Sequence, residues 1–326
     1  MTKTLVTGAA GFIGFHVAQS LLKRGETVIG VDNLNSYYNV DLKHARLAQL
    51  KEYKNFHFFP IDISDKKAME EMWSQNTPIL NVVNLAAQAG VRYSLTDPFP
   101  YITSNVMGFM VVLELCRYQE NFKHLVYAST SSVYGSNEEM PFFEHQRTDN
   151  PMSLYAATKK SNELMAQSYS HLYKIPISGL RFFTVYGPWG RPDMSAFKFM
   201  RAMLAGEPID IYNNGNMARD YTYIDDIVSG ILATLDHPKQ TSAKDLHPVY
   251  NIGNGHTETL LRFIELIEKS LGIIAKKNFL PMQAGDVRET FADISLAKCE
   301  LGFSPKVSIE EGVPKLVEWY RQYPNF

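Results

Sequence analysis

The sequence predicts an α/β fold, a doubly wound parallel sheet followed by a smaller C-terminal α/β substrate-binding domain. Two patterns predict it. Short β-branched or apolar runs alternate with longer helical patterns through the first half of the chain. Beyond about residue 182 that alternation gives way to Pro- and Gly-rich loops with isolated helices. The strand candidates are Thr4–Thr7, Thr27–Val31, Phe56–Pro60, Ile79–Leu85, Leu125–Ala128 and Ile177–Arg181. Between them lie helix candidates at Phe12–Arg24, Leu42–Tyr53, Lys66–Gln75, Ile102–Arg117 and Tyr155–Tyr173. Strand–helix alternation of this kind implies right-handed crossovers between parallel strands. The expected division is 1–181 for the sheet domain and 182–326 for the second. A segment near 225–255 is expected to return to the sheet through the apolar run Val249–Gly253.

Composition narrows the function classes. Thirty-two basic and 34 acidic residues leave a net charge of −2, so no single-sign field points to nucleic acid or a membrane surface. No apolar run reaches the roughly 18 residues a membrane span needs. Cys116 and Cys299 are too few for a disulfide framework or a zinc site and read as buried thiols in a reducing cytoplasm. The histidines show no metal-ligand spacing, so no metal site is expected.

The first strand runs into Gly8-Ala9-Ala10-Gly11-Phe12-Ile13-Gly14, a GxxGxxG turn that opens a helix. Glycines there let backbone N–H groups approach a pyrophosphate at the helix N-terminus, the arrangement of a Rossmann dinucleotide site. Asp32 closes the next strand. A carboxylate there accepts from adenosine ribose hydroxyls and repels a 2′-phosphate, favouring NAD over NADP. Asp62, after the third strand, reads equally as an adenine contact or as a turn acid.

Tyr155 and Lys159 stand four apart on a predicted helix and so share a face. A nearby ammonium favours phenolate, and a phenolate can take a proton from a sugar hydroxyl. Upstream, Ser129-Thr130-Ser131-Ser132 ends a predicted strand and supplies hydroxyls to share that proton.

With these motifs in place the chain resembles the extended short-chain dehydrogenase/reductase family, in particular its nucleotide-sugar epimerases. The resemblance is nearly end to end and adds Asn84-Leu85-Ala86-Ala87. It implies Thr130, Tyr155 and Lys159 as catalytic residues. It implies cofactor contacts from Gly8, Gly11, Phe12, Ile13, Gly14, Asp32, Asn33, Asp62, Ile63, Leu85, Ala86 and Ala87, joined by Tyr155 and Lys159. Arg219 looks like a diphosphate arginine. Asp286, in Gly285-Asp286-Val287-Arg288, looks like a nucleotide ribose ligand, with Arg288 a further phosphate contact. Gln283 stands where some hexose epimerases carry another phosphate arginine.

Three stretches are similar to UDP-glucuronate 4-epimerases: Asp32 to Tyr38, Ala87 to Ser94, and Arg181 to Met194. Under that resemblance Ser131, Ser132, Thr184 and Arg191 meet a sugar carboxylate. Related decarboxylases and dehydratases carry an acid in the strand-end cluster, typically where Ser132 stands, and none is present. The rival readings are a UDP-glucose or UDP-N-acetylhexosamine 4-epimerase, a UDP-sugar decarboxylase or dehydratase, and a non-catalytic NAD sensor. The resemblance further implies a UDP-sugar substrate, a cytoplasmic setting and a homodimer joined through the helices near 102–117 and 154–173.

Overall fold

The computed structural model describes residues 2–239, 246–283 and 286–324. Its centre is a seven-stranded, wholly parallel sheet. In chain order the first six strands are β1 (Lys3–Thr7), β2 (Thr27–Val31), β3 (Phe56–Phe59), β4 (Asn81–Asn84), β5 (His124–Thr130) and β6 (Ile177–Phe182). Their spatial order is β6-β5-β4-β1-β2-β3, and Val249–Ile252 adds a seventh strand beside β6, with Val249 opposite Gly179. This is a Rossmann sheet, whose strand order reverses between β1 and β4. A reversal leaves a crevice at the strands' carboxyl ends because the flanking crossovers run to opposite faces.

The strands are buried on both faces, as helix-covered parallel strands must be. All six residues of β6 and the last four of β1 are inaccessible or nearly so. The covering helices include α1 (Phe12–Lys23), α2 (Val40–Lys51), α3 (Lys66–Asn76), α4 (Gly108–Tyr118) and α5 (Leu154–Tyr173). Helix Ile224–Asp236 packs on α1. Two hydrophobic clusters result. One contains Phe109, Val112, Leu125 and Ile177; the other runs from Phe15 and Leu21 to Phe263 and Trp319.

One predicted helix divides in two. Tyr101–Met107 is a π-helical turn, and regular helix begins only at Gly108. The cause is a side-chain intrusion. Asn162 Nδ2 on α5 donates to the Asn105 carbonyl at 2.7 Å, and the Asn105 amide donates to Gln88 O and Thr158 Oγ1. A carbonyl claimed from outside bends the helix ladder away from its usual partner.

The cysteine expectation needs one correction. Cys116 is buried, but Cys299 is exposed. It lies on Ser295–Leu301, where only Ala297 and Leu301 face inward, so its position on the helix turns it to solvent.

Short strand pairs build the second region. Thr184–Tyr186 runs parallel to Tyr221–Tyr223, and Ile209–Ile211 to Lys277–Phe279, while Ala218–Arg219 is antiparallel to Glu258–Thr259. Among the described residues no helix is long and apolar enough to cross a membrane.

Candidate active site

The crevice opens into two adjoining cavities. The first, of 340 Å³, is lined by all the predicted cofactor residues, from Gly8, Gly11, Phe12, Ile13 and Gly14 to Tyr155 and Lys159. The second, of 610 Å³, contains Thr184, Arg191, Arg219 and Asp286. Arg191 and Tyr37 border both.

The glycine turn is a tight backbone cradle. Gly8 sits at φ +69°, where an L side chain is strained, and a Cβ there would lie 2.9 Å from Ala86 N. A Cβ on Gly14 would fall on the Gly8 carbonyl oxygen. Thr7 Oγ1 accepts from Leu85 and Ala86 N–H, each at 3.1 Å, which fixes the end of β4 against the turn. Asp32 accepts from Ala10 N at 3.1 Å and Leu34 N at 2.9 Å, so the acid that faces the ribose position also braces both loops. Asp62 accepts from Ser64 N–H and O–H and from Asn33 Nδ2 at 2.7 Å, while lining the same cavity. It is therefore both a turn acid and a wall residue.

Tyr155 and Lys159 project from the first turns of α5, which Ser153 caps through Ala156 N. Asn105 binds Thr158 between them, so the π-helical turn anchors this stretch to the loop at Gln88. A buried ion pair sets α5 against the sheet: Arg181 donates to both oxygens of Glu163 at 2.8 and 2.9 Å, and Ser129 Oγ donates to Glu163 at 2.7 Å. Thr130 follows directly, and it lines the first cavity together with Tyr155.

Electrostatics differ from the simple Tyr/Lys picture. Burial pushes the Tyr155 phenol up, and the Arg191 charge and the Thr130 hydrogen bond oppose it. Lys159 directs Nζ back to the Ala128 carbonyl at 2.9 Å, and burial lowers its pKa to about 8. Arg191 also acts on Tyr155, a contribution that sequence spacing did not reveal.

Other predicted residues divide. Arg219 lines the second cavity but spends three hydrogen bonds on the carbonyls of Ala218, Val287 and Arg288, fixing that loop. Asp286 pairs with Arg92 at 2.9 Å at the cavity wall. Gly285 of that motif lies outside the described residues. Ser131, Ser132 and Arg288 are not brought to either cavity wall. Ser132 instead accepts from the Thr130 hydroxyl at 3.2 Å, and Arg288 reaches Asn216 Oδ1. Tyr37, Lys43, Gln88 and Asp193 are wall residues not singled out from the sequence. For Tyr37, Gln88 and Asp193 the signal was there, since all three lie inside the quoted epimerase-like stretches.

A strand–glycine turn–helix cradle, an acid closing β2 and a partly buried Tyr155 beside buried Thr130 and Lys159 define a dinucleotide-dependent enzyme acting on a hydroxyl-bearing substrate. The chain belongs to the NAD dependent epimerase/dehydratase family, whose profile matches residues 4–253. The protein CapI of Staphylococcus aureus is 49% identical over 98% of this chain and 99% of its own length. UDP-glucuronate 4-epimerase 1 of Arabidopsis thaliana is 45% identical over 99% of this chain and 77% of its own. The crystal structure of UDP-glucuronic acid 4-epimerase from Bacillus cereus, in complex with UDP-glucuronic acid and NAD, superimposes with a TM-score of 0.89. It is 37% identical and covers 98% of this chain and 99% of that one. NAD fits the first cavity: the glycine turn lines it without side chains, which leaves backbone exposed at the start of α1, and the carboxylate at the end of β2 suits a free ribose.

Proposed function

We propose that this protein is a UDP-glucuronate 4-epimerase that interconverts UDP-glucuronate and UDP-galacturonate through a 4-keto sugar. The observation that carries this reading is the position of Arg191. It stands at the junction of the two cavities, within electrostatic reach of Tyr155, where a sugar bearing both a reacting hydroxyl and a carboxylate would lie.

NAD, when bound, supplies the reversible hydride acceptor. The protein's own residues handle the proton and the anion. Tyr155 takes the 4-hydroxyl proton and returns it, with Thr130 sharing the hydrogen bond. Arg191 favours the phenolate and meets the carboxylate, with Thr184 beside it on the second cavity wall. Lys159, buried on the Ala128 carbonyl, holds α5 to β5 at the floor of the site. Arg219 and Asp286 belong to the nucleotide end, where Asp286 exchanges Arg92 for ribose hydroxyls. The strand end Thr130-Ser131-Ser132 holds no acid to remove a proton at C5, which favours epimerisation over loss of water or CO₂.

We assign residues 1–181 and the return near 225–255 to cofactor binding and the remainder of 182–326 to the sugar nucleotide. The strand Val249–Ile252 beside β6 supports that assignment. We also infer a homodimer: Ile102, Met107, Leu164 and Leu172 are about half exposed or more, on the two helical segments flanking one face. From a UDP-sugar substrate and an NAD cofactor we also infer a cytoplasmic setting.

The test is proton NMR of purified protein with UDP-glucuronate and no added NAD. UDP-galacturonate without net NADH or a pentose product is the expected outcome. Turnover of UDP-glucose or UDP-N-acetylglucosamine alone would remove the carboxylate assignment and leave the Tyr155 chemistry standing.

A further inference from the structure

Arg191 carries a counter-charge of its own. Its Nε donates to Asp193 Oδ1 at 3.0 Å, and its Nη2 grips the other carboxylate oxygen. Tyr37 Oη donates to that same Oδ2 at 3.2 Å. Arg191 and Asp193 share one loop, whereas Tyr37 comes from the loop after β2, so the triad ties the two together across the cavity junction. Asp193 and Tyr37 both line the second cavity. Burial raises the Asp193 carboxyl, yet the charge and hydrogen bonds of Arg191 outweigh it and leave the acid below its ordinary pKa. Burial and the Asp193 charge push Tyr37 up to about 12, so it stays a donor.

An arginine has five N–H donors. Two of these point at Asp193, so an incoming carboxylate finds only the remaining edge and a pair of near-zero net charge. A lone guanidinium at this depth would form a full charge-assisted pair, a markedly stronger contact than a neutral one. Strong grip is a disadvantage for the reaction proposed above. The keto sugar must leave one orientation and return in the other, and binding that is equal in the resting and reacting states lowers KM without raising kcat.

We propose that Asp193, braced by Tyr37, tunes Arg191 so that the sugar carboxylate is held weakly enough to let go between the two orientations. This rests on the UDP-glucuronate reading. Asp193 acts through Arg191 and is a positioning residue, with UDP-uronates as the ligands it governs.

The experiment is steady-state kinetics and calorimetric binding for wild type, D193N, D193S and D193E. The ligands are UDP-glucuronate, UDP-galacturonate and the uncharged UDP-glucose. The Asn amide oxygen still accepts from Arg191, so D193N removes charge with little change of shape. KM and Kd for both uronates should fall about tenfold, the range of one charge-assisted hydrogen bond, and kcat should fall with them. UDP-glucose affinity should stay within about twofold, and D193E should return the uronate values toward wild type. D193S removes the same charge and carries the test if D193N does not fold. Unchanged or weaker uronate binding, or parallel changes for UDP-glucose and the uronates, would overturn the inference while leaving the function intact. Wild-type protein that leaves UDP-glucuronate unconverted would overturn both.

Discussion

Arg46 is the residue whose removal should do most damage relative to its visibility. It projects from α2, is completely buried, and donates to four acceptors from three parts of the chain. Nη1 reaches Ala10 O and Tyr38 Oη at 2.8 Å, and Nη2 reaches Trp189 O at 2.6 Å and Gly190 O at 3.0 Å. One guanidinium therefore joins the glycine turn to the loop that delivers Arg191. In Arg46→Met the apolar stem is kept and the donors vanish, stranding three backbone carbonyls. Each stranded group costs about 1–3 kcal/mol. Against that, a cation whose burial already lowers its pKa no longer has to be desolvated. The net loss should be about 2–4 kcal/mol. At roughly 2–4 °C per kcal/mol for larger domains, the melting point falls about 5–15 °C. The coupling makes a second demand. Added NAD stabilises wild type by mass action, and that increment should shrink in Arg46→Met because Ala10 is no longer held. Calorimetric melts with and without saturating NAD read both quantities. A loss below about 1 kcal/mol, or a full loss with an undiminished NAD increment, would refute the clamp.

Three further outcomes follow from the geometry. Tyr155→Phe should lower kcat by about 10²–10⁴, the range for a lost general acid–base, with bound NAD unchanged by absorbance; retained turnover would take Tyr155 out of its role. Gly14→Ala places a methyl on the Gly8 carbonyl oxygen, so NAD affinity should drop at least tenfold by titration, and tight binding would show that the turn can relax. His124 is buried against Ser178 and the Leu235 carbonyl, and burial lowers its pKa from 6.5 to about 4. Its folded pKa lies below the unfolded one, so its contribution is complete above pH 6.5 and is lost as pH falls towards 4. That loss is about 3 kcal/mol at 1.36 kcal/mol per unit; His124→Gln should flatten denaturation curves over this window, and an unchanged slope would exclude it.

The cofactor side of this protein is legible from sequence because each of its parts sits at a strand end. Gly8 to Gly14 follows β1, Asp32 closes β2, Asp62 follows β3, and Leu85 to Ala87 follows β4. Parallel strands bring successive carboxyl ends to one edge, so local motifs map directly onto a single cavity. Tyr155 and Lys159 are legible for a similar reason, since helical spacing alone puts them on one face. What those patterns could not supply is any interaction between distant segments. Arg46 is only a charged residue on a polar helix until Trp189 and Gly190 arrive beside it. The π-helical turn at 101–107 is invisible because its cause, Asn162, lies on another helix.

The substrate side is harder to read for the same physical reason carried further. Its walls come from Tyr37, residues 90–93, residues between 184 and 221, Leu260 and Asp286, and the 218–219 and 287–289 stretches are joined through the bridge between Ala218 and Glu289 and the hydrogen bonds from Arg219 to the 287–288 carbonyls. An arginine that looks like a phosphate ligand in sequence can therefore be occupied with holding its own loop, as Arg219 is. A charge that lowers Tyr155 likewise comes from Arg191, 36 residues later in the chain. Spacing on a helix identifies which groups share a face, but not how burial shifts each of them. Burial lowers Lys159 to about 8, whereas Arg191, with Asp193 beside it, is held above its ordinary pKa. The difference between these two basic residues is thus set by desolvation and by a neighbouring carboxylate, and both follow from the fold.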